Sequence, residues 1–209
     1  MRWDRPSLHE TVLSLPGWVI GRVDYDQVYA SDEDRMRLAI ALAAENVSNG
    51  SGGPFGAAVF ERESGRLIAV GVHSVVRLNN STAHAEMIAL QLAERRIASY
   101  SLAADGHPAH ELFTSCAPCA MCLGAVLGSG VTRLVSAAER GDEQHGDKAR
   151  EDAQREATHR IDFEENRVFA ESHAHLRARA IEIVGGVLRD EARAVLESYR
   201  AGGGAIHNG

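Results

Sequence analysis

The sequence predicts one α/β domain, a mixed five-stranded sheet covered by helices on both faces, preceded by a short N-terminal arm. Three observations lead there. Short strand-like apolar runs alternate with segments of helical period. The first two strand-like runs are joined by a hairpin turn, while helices separate the later ones, so antiparallel and parallel pairs mix. And 209 residues with ordinary hydrophobic content suffice for one core without disulfide staples. Residues 1–30 read as the arm and 31–209 as the domain.

The arm carries Pro6, Pro16, Gly17 and Gly21, with Trp3 and Trp18 between them, and packs on the body or on a second subunit. Ser31-Asp32-Glu33-Asp34 caps and charges a helix start. Met36, Leu38, Ala39, Leu42 and Ala43 continue that helix at its own period to about Val47. Asn49 to Pro54 then breaks the chain. Its glycines allow close backbone approach to a ligand or simply a turn. Ala57–Glu61 and Leu67–Val72 read as strands joined at Glu63-Ser64-Gly65. Ser81 and Thr82 are candidate caps for a helix from Met87 to about Ile97, with Ala89, Leu90, Ala93 and Ile97 on its apolar face. His110–Ser115 is a third strand. A third helix runs from about Cys119 to Leu127, with Pro118 at its first position, and Gly128-Ser129-Gly130 ends it. Val131–Ser136 and Ile181–Val187 are the last strands, and Arg189–Tyr199 is the closing helix. Asp147–Arg160 has the charge spacing of a solvated, ion-paired helix.

Composition excludes several classes. No apolar run is long enough to span a membrane, and the first residues lack a signal-peptide core. A cytoplasmic protein is expected. The net charge of −7 weighs against a broad phosphate-binding surface. All three cysteines fall within seven residues, a spacing that suits a metal and not a disulfide framework.

The chemistry is concentrated in His84-Ala85-Glu86 and Pro118-Cys119-Ala120-Met121-Cys122. Either half alone is a weak signal; together and in this order they form the pattern of zinc deaminases that act on nucleobases. Cys119 and Cys122 at a helix start share one face, where free N–H groups and the helix dipole favour thiolates. Two thiolates balance the charge of a divalent ion, and His84 adds a neutral imidazole. Three protein ligands leave one tetrahedral corner open for water, which then ionises near pH ~7. Glu86, not needed as a ligand, is placed to move protons from that water to a ring nitrogen and a departing amine. The alternative is a closed Cys₃His structural site that includes Cys116. Ala117 precedes a proline and prefers an extended backbone, so Cys116 should end its strand and point elsewhere.

Three stretches extend the pattern: Gly52-Gly53-Pro54-Phe55-Gly56-Ala57-Ala58-Val59, Thr82-Ala83-His84-Ala85-Glu86, and Thr114 through Ala125. On these the chain resembles the cytidine-deaminase-like superfamily and, within it, the guanine deaminase branch of bacterial nucleobase deaminases. The resemblance runs from about Arg37 to Ala138 and resumes more loosely from Asp162. It implies a three-layer α/β/α sandwich and one Zn²⁺ per chain on His84, Cys119 and Cys122. It implies Glu86 as the proton shuttle and a second acid, best matched by Glu165, beside the leaving amine. Phe55, the Ala85 backbone N–H and the residue at position 73 would face the substrate. Branch members have asparagine at that last position, where this chain has His73. The charged stretch 140–160 is longer than the branch requires. The resemblance also implies a homodimer in which the C-terminal segment, with Tyr199 and residues 202–209, closes a pocket in cis or in trans.

The leading function is thus hydrolytic deamination of a small amino-substituted heterocycle, guanine or a related purine base first, with a nucleoside or s-triazine also open. A tRNA adenosine deaminase and a non-catalytic zinc-stabilised binding module are the alternatives. His173-Ala174-His175 reads as a surface pair on a strand face.

Overall fold

The computed structural model describes residues 11–139 and 171–204. Among these, five strands form one sheet in the order β2-β1-β3-β4-β5. They are β1 (Gly56–Glu61), β2 (Leu67–Val72), β3 (His110–Cys116), β4 (Arg133–Ala138) and β5 (Glu182–Val184). β1 pairs antiparallel with both β2 and β3, whereas β3–β4 and β4–β5 are parallel. The helices are α1 (Asp32–Ser48), a single turn α2 (Val75–Leu78), α3 (Ala85–Arg96), α4 (Ala120–Ser129), α5 (residues 171–178) and α6 (Arg189–Ala201). This is the mixed, five-stranded α/β sheet that the sequence predicts.

Two apolar clusters lie on opposite faces. One joins Met36, Ala39 and Leu42 of α1 and Leu196 of α6 to Ala58, Phe60 and Phe113. The other joins Ala85, Ala89 and Ala93 of α3 and Leu123 and Val126 of α4 to Ala57, Val59 and Leu112. Ser31 caps α1 as expected, its hydroxyl accepting from the Asp34 N–H at 3.1 Å.

Several boundaries differ from the sequence reading. β4 lies two residues later than Val131–Ser136, because the ladder continues to Ala138 opposite Cys116. β5 is shorter than Ile181–Val187, since Gly186 and Leu188 take positive φ values of 80° and 55° just after it. His173 and His175 sit on helix α5 and not on a strand. Buried Leu176 anchors that helix to the second cluster, and a polar helix with one such anchor carries little periodic signal. Glu165, the stretch 140–160 and residues 205–209 lie outside the described residues.

Candidate active site

β3 ends at Cys116, and Ala117 and Pro118 carry the chain to α4. Cys119 is the N-cap of α4, and His84 is the N-cap of α3. Both helices thus begin later or earlier than expected: α4 at Ala120, not at Cys119, and α3 at Ala85, not at Met87. Ser81 and Thr82 are not its caps; Thr82 turns back on Asn80, whose Oδ1 accepts from the Thr82 N–H at 2.9 Å. An N-cap side chain ordinarily accepts from the first turn. Neither His84 nor Cys119 does so. Their side chains converge instead, and the positive ends of two helices aim at the same point.

The geometry of the convergence is that of a metal centre. Cys119 Sγ lies 3.6 Å from Cys122 Sγ, and each sulfur lies 3.7 Å from His84 Nδ1. A tetrahedral zinc with bonds of about 2.3 Å to sulfur and about 2.0 Å to nitrogen requires edges of roughly 3.8 and 3.6 Å. The three donors therefore fit zinc. They form the metal-competent group among the described residues, and Cys116 is not part of it. Cys116 is buried with Val135, Ala137 and Ala138 in the first apolar cluster. The closed Cys₃His alternative has no support in this geometry.

Electrostatics agree. The Cys119 thiol is pushed down to about 4, through its contact with Cys122 and despite burial, with further help from His84. Cys122 is pushed up by Cys119 and by burial. Glu86, 6% exposed, has its carboxyl raised by burial. Its two oxygens have different neighbours: Oε2 is 3.6 Å from Cys122 Sγ, and Oε1 is 3.2 Å from the Thr114 hydroxyl.

The wall beside the metal donors is built from α1, the loop after it and the residue that follows β2. His73 is buried, with its ring centroid 5.4 Å from that of His84 and 5.6 Å from that of Phe55. The Gly53 N–H donates to His73 Nδ1 at 3.2 Å, so the neutral ring carries its hydrogen on Nε2. Asn46, fully buried on α1, donates to the carbonyls of Gly53 (2.8 Å) and His73 (2.9 Å). Ser51 donates to Asn46 Oδ1 at 2.7 Å, and the Trp18 indole donates to Ser51 at 3.0 Å. A Cβ on Gly52 would stand 1.9 Å from the His73 carbonyl oxygen, so that glycine serves a tight backbone approach and is no mere flexible turn.

His84, Ala85, Glu86, Cys119, Cys122, His73 and Phe55 are therefore brought to one place, while Glu165 lies outside the described residues. The sequence reading missed Thr114 and Asn46. Asn46 had a legible signal: it falls on the same helical stripe as Ala39, Leu42 and Ala43, and a polar residue on a core stripe needs a partner. Thr114 had none, because every residue of β3 is buried and no alternation marks its face.

Comparison with known proteins assigns the chain to a family. Residues 29–138 match the family described as the cytidine and deoxycytidylate deaminase zinc-binding region. The chain belongs to that family. A guanine deaminase of Bacillus subtilis is 39% identical over 110 residues, 53% of this chain and 66% of that protein. A tRNA-specific adenosine deaminase of Buchnera aphidicola is 38% identical over 107 residues, 51% of this chain and again 66% of that protein. The matched part of this deaminase-family chain thus spans just under two thirds of these relatives. Solved structures extend over nearly the whole chain. NE0047 in complex with 2,6-diaminopurine is 37% identical, covers 95% of this chain and 97% of its own, and superposes with a TM-score of 0.76. A guanine deaminase from Nitrosomonas europaea is 36% identical, covers 91% and 96%, and gives 0.74.

Proposed function

We propose that this family member is a zinc-dependent hydrolase that releases ammonia from an amino-substituted purine base, with guanine as the first substrate. The observation that carries the reading is the triangle of His84, Cys119 and Cys122, of zinc dimensions, with the buried Glu86 carboxylate against one edge. In this reading the triangle holds one zinc ion per chain. When bound, the ion supplies Lewis acidity and lowers the pKa of water toward ~7. Glu86 does the proton work at Oε2: it takes one proton from the attacking water and gives it to a ring nitrogen, then carries the second, from the new C–OH, to the departing amine. Water is consumed, the C–N bond breaks, ammonia leaves and a ring carbonyl remains. Phe55 and the Ala85 N–H line the substrate side. Glu165 is assigned to the leaving amine on the resemblance alone.

His73 sets the substrate question. An asparagine amide offers a donor and an acceptor together; an imidazole whose Nδ1 is engaged by Gly53 offers no second acceptor. We therefore expect His73→Asn to change the KM for guanine more than the kcat. The relatives that support a purine substrate are the guanine deaminases and the structure holding 2,6-diaminopurine. The tRNA reading has its own support in the relative that is 38% identical, but the net charge of −7 opposes a phosphate-tracking surface. A homodimer with exchanged C-terminal segments completes the proposal and is checked by sedimentation of the full chain.

The deciding experiment is ammonia release from guanine, 2,6-diaminopurine, guanosine, adenine, cytosine and an adenosine-bearing tRNA, for the zinc-loaded protein and for Glu86→Gln. The reading requires turnover of a free base and a loss of at least ~10²-fold in the variant with zinc retained. Turnover of tRNA alone would favour the second reading. No turnover of any substrate, with Glu86→Gln indistinguishable from wild type, would leave a zinc-stabilised binding module.

A further inference from the structure

We infer that Thr114 is the positioning residue of the proton shuttle: its hydroxyl fixes which Glu86 oxygen faces the metal donors and stays bonded to that carboxyl in both of its working states. The inference rests on the catalytic reading of Glu86. Thr114 is 1% exposed on β3, two residues before the strand's end. Its Oγ1 has two acceptors within reach, Glu86 Oε1 at 3.2 Å and the Cys116 carbonyl at 3.1 Å. A hydroxyl has one hydrogen and can give it to only one of them at a time.

The bond to Glu86 survives both working states of the shuttle. When Glu86 is a carboxylate, the Thr114 O–H donates to Oε1. When Oε2 carries the proton taken from water, Oε1 is the carbonyl oxygen of the acid and still accepts from Thr114. The anchoring of Oε1 leaves Oε2 on the side of Cys122 Sγ, 3.6 Å away. Thr114 is also held from behind. Its backbone sits in the middle of the sheet, opposite Ala57 on β1 and Ser136 on β4. The anchor is therefore as rigid as the sheet itself, which is where a site demanding sub-ångström placement should put it.

The test compares Thr114→Val, which keeps the shape and removes the hydroxyl, with Thr114→Ser, which keeps the hydroxyl. Thr114→Ala serves as a second deletion if the valine variant does not fold. The readouts are zinc content, kcat and KM on the best base substrate, and crystal structures of each variant. We expect the deletions to keep one zinc per chain, to lower kcat by about 10-fold or more and to leave KM within about 3-fold, since orientation of a proton-transfer group is a transition-state requirement. The serine variant should restore kcat to within about 3-fold of wild type. In the structures, the Glu86 carboxylate should keep its orientation with serine and turn away with valine or alanine. A deletion variant with full kcat, equal impairment of the serine and valine variants, or a loss confined to KM would overturn the inference while leaving the deaminase reading in place. If wild type turns over no substrate, the catalytic reading fails separately. The structures then still decide, because an unmoved Glu86 in the valine variant refutes the anchor.

Discussion

A single methyl group added to the edge strand β2 should disable this site. Gly71 lies in β2, opposite Ala57 of β1, and has no side chain of its own to offer the site. Yet a Cβ built on it would stand 2.0 Å from the Ala85 carbonyl oxygen and 2.7 Å from the Ala89 amide nitrogen. A relaxed carbon–oxygen contact needs about 3.3 Å, so Gly71→Ala requires α3 or β2 to move by about 1.3 Å. β2 is held by its ladder to β1, and α3 is packed on both strands through Ala85, Ala89 and Ala93. Overpacking of this kind costs about 1–3 kcal/mol. In a chain of this size that lowers the melting temperature by roughly 2–12 °C.

The functional cost should exceed the structural one. The turn that must retreat is the one that carries His84, Ala85 and Glu86. A misplacement of about 1 Å in catalytic groups costs about 10²-fold in rate. Zinc affinity should fall as well, by about 10-fold, because one of three ligands leaves the triangle. Thermal melts, competitor titration of zinc and base-deamination kinetics on Gly71→Ala and wild type provide the assay. A variant with unchanged melting temperature, zinc affinity and kcat would refute the claim that close backbone contact between β2 and α3 sets the site.

Two other perturbations separate the site from its scaffold. Cys116→Ala should retain one zinc equivalent in a chelator titration and lose only about 1 kcal/mol of stability, since Cys116 packs in the apolar cluster and lies outside the ligand triangle. Asp32 at the start of α1 has its carboxyl held below the ordinary range by the Arg133 guanidinium. A lowered folded value means that its stabilising contribution is complete above the usual carboxylate pKa of about 4 and disappears as pH falls through the lower value. Asp32→Asn should therefore be less stable than wild type in urea melts at pH 7, and the difference should vanish in strong acid.

What was legible in the sequence follows the range of the interactions. The metal donors were readable because each pair is local: His84 and Glu86 are two residues apart, Cys119 and Cys122 three apart, and a helix start needs no distant partner to orient them. Strand β2 was readable to the residue, since a hairpin fixes its register against β1. β4 slipped by two residues, because a parallel strand takes its register from a partner reached only after a helix, here through the pairing of Cys116 with Ala138. The helix caps were misread for a related reason. Ser81 and Thr82 have the better intrinsic capping chemistry, but cap preference is worth only about 1 kcal/mol, and the fold instead gives the N-cap positions to His84 and Cys119.

The same logic explains where specificity should reside. The three metal-competent side chains and Glu86 are set by local spacing. The wall beside them is assembled from residues far apart in sequence: Trp18 bonds Ser51, Ser51 bonds Asn46, and Asn46 holds Gly53 and His73. The two bonds that Asn46 donates order buried carbonyls, and a buried polar group left unsatisfied costs about 1–3 kcal/mol. Such a chain can change one member, as at His73, only if its other members still satisfy the replacement. Here the Gly53 N–H does so by engaging Nδ1. On the proposed function, reaction type rests on the short-range part of this protein and substrate choice on the long-range part, so a substitution at Asn46 should alter which base is accepted before it alters whether deamination occurs.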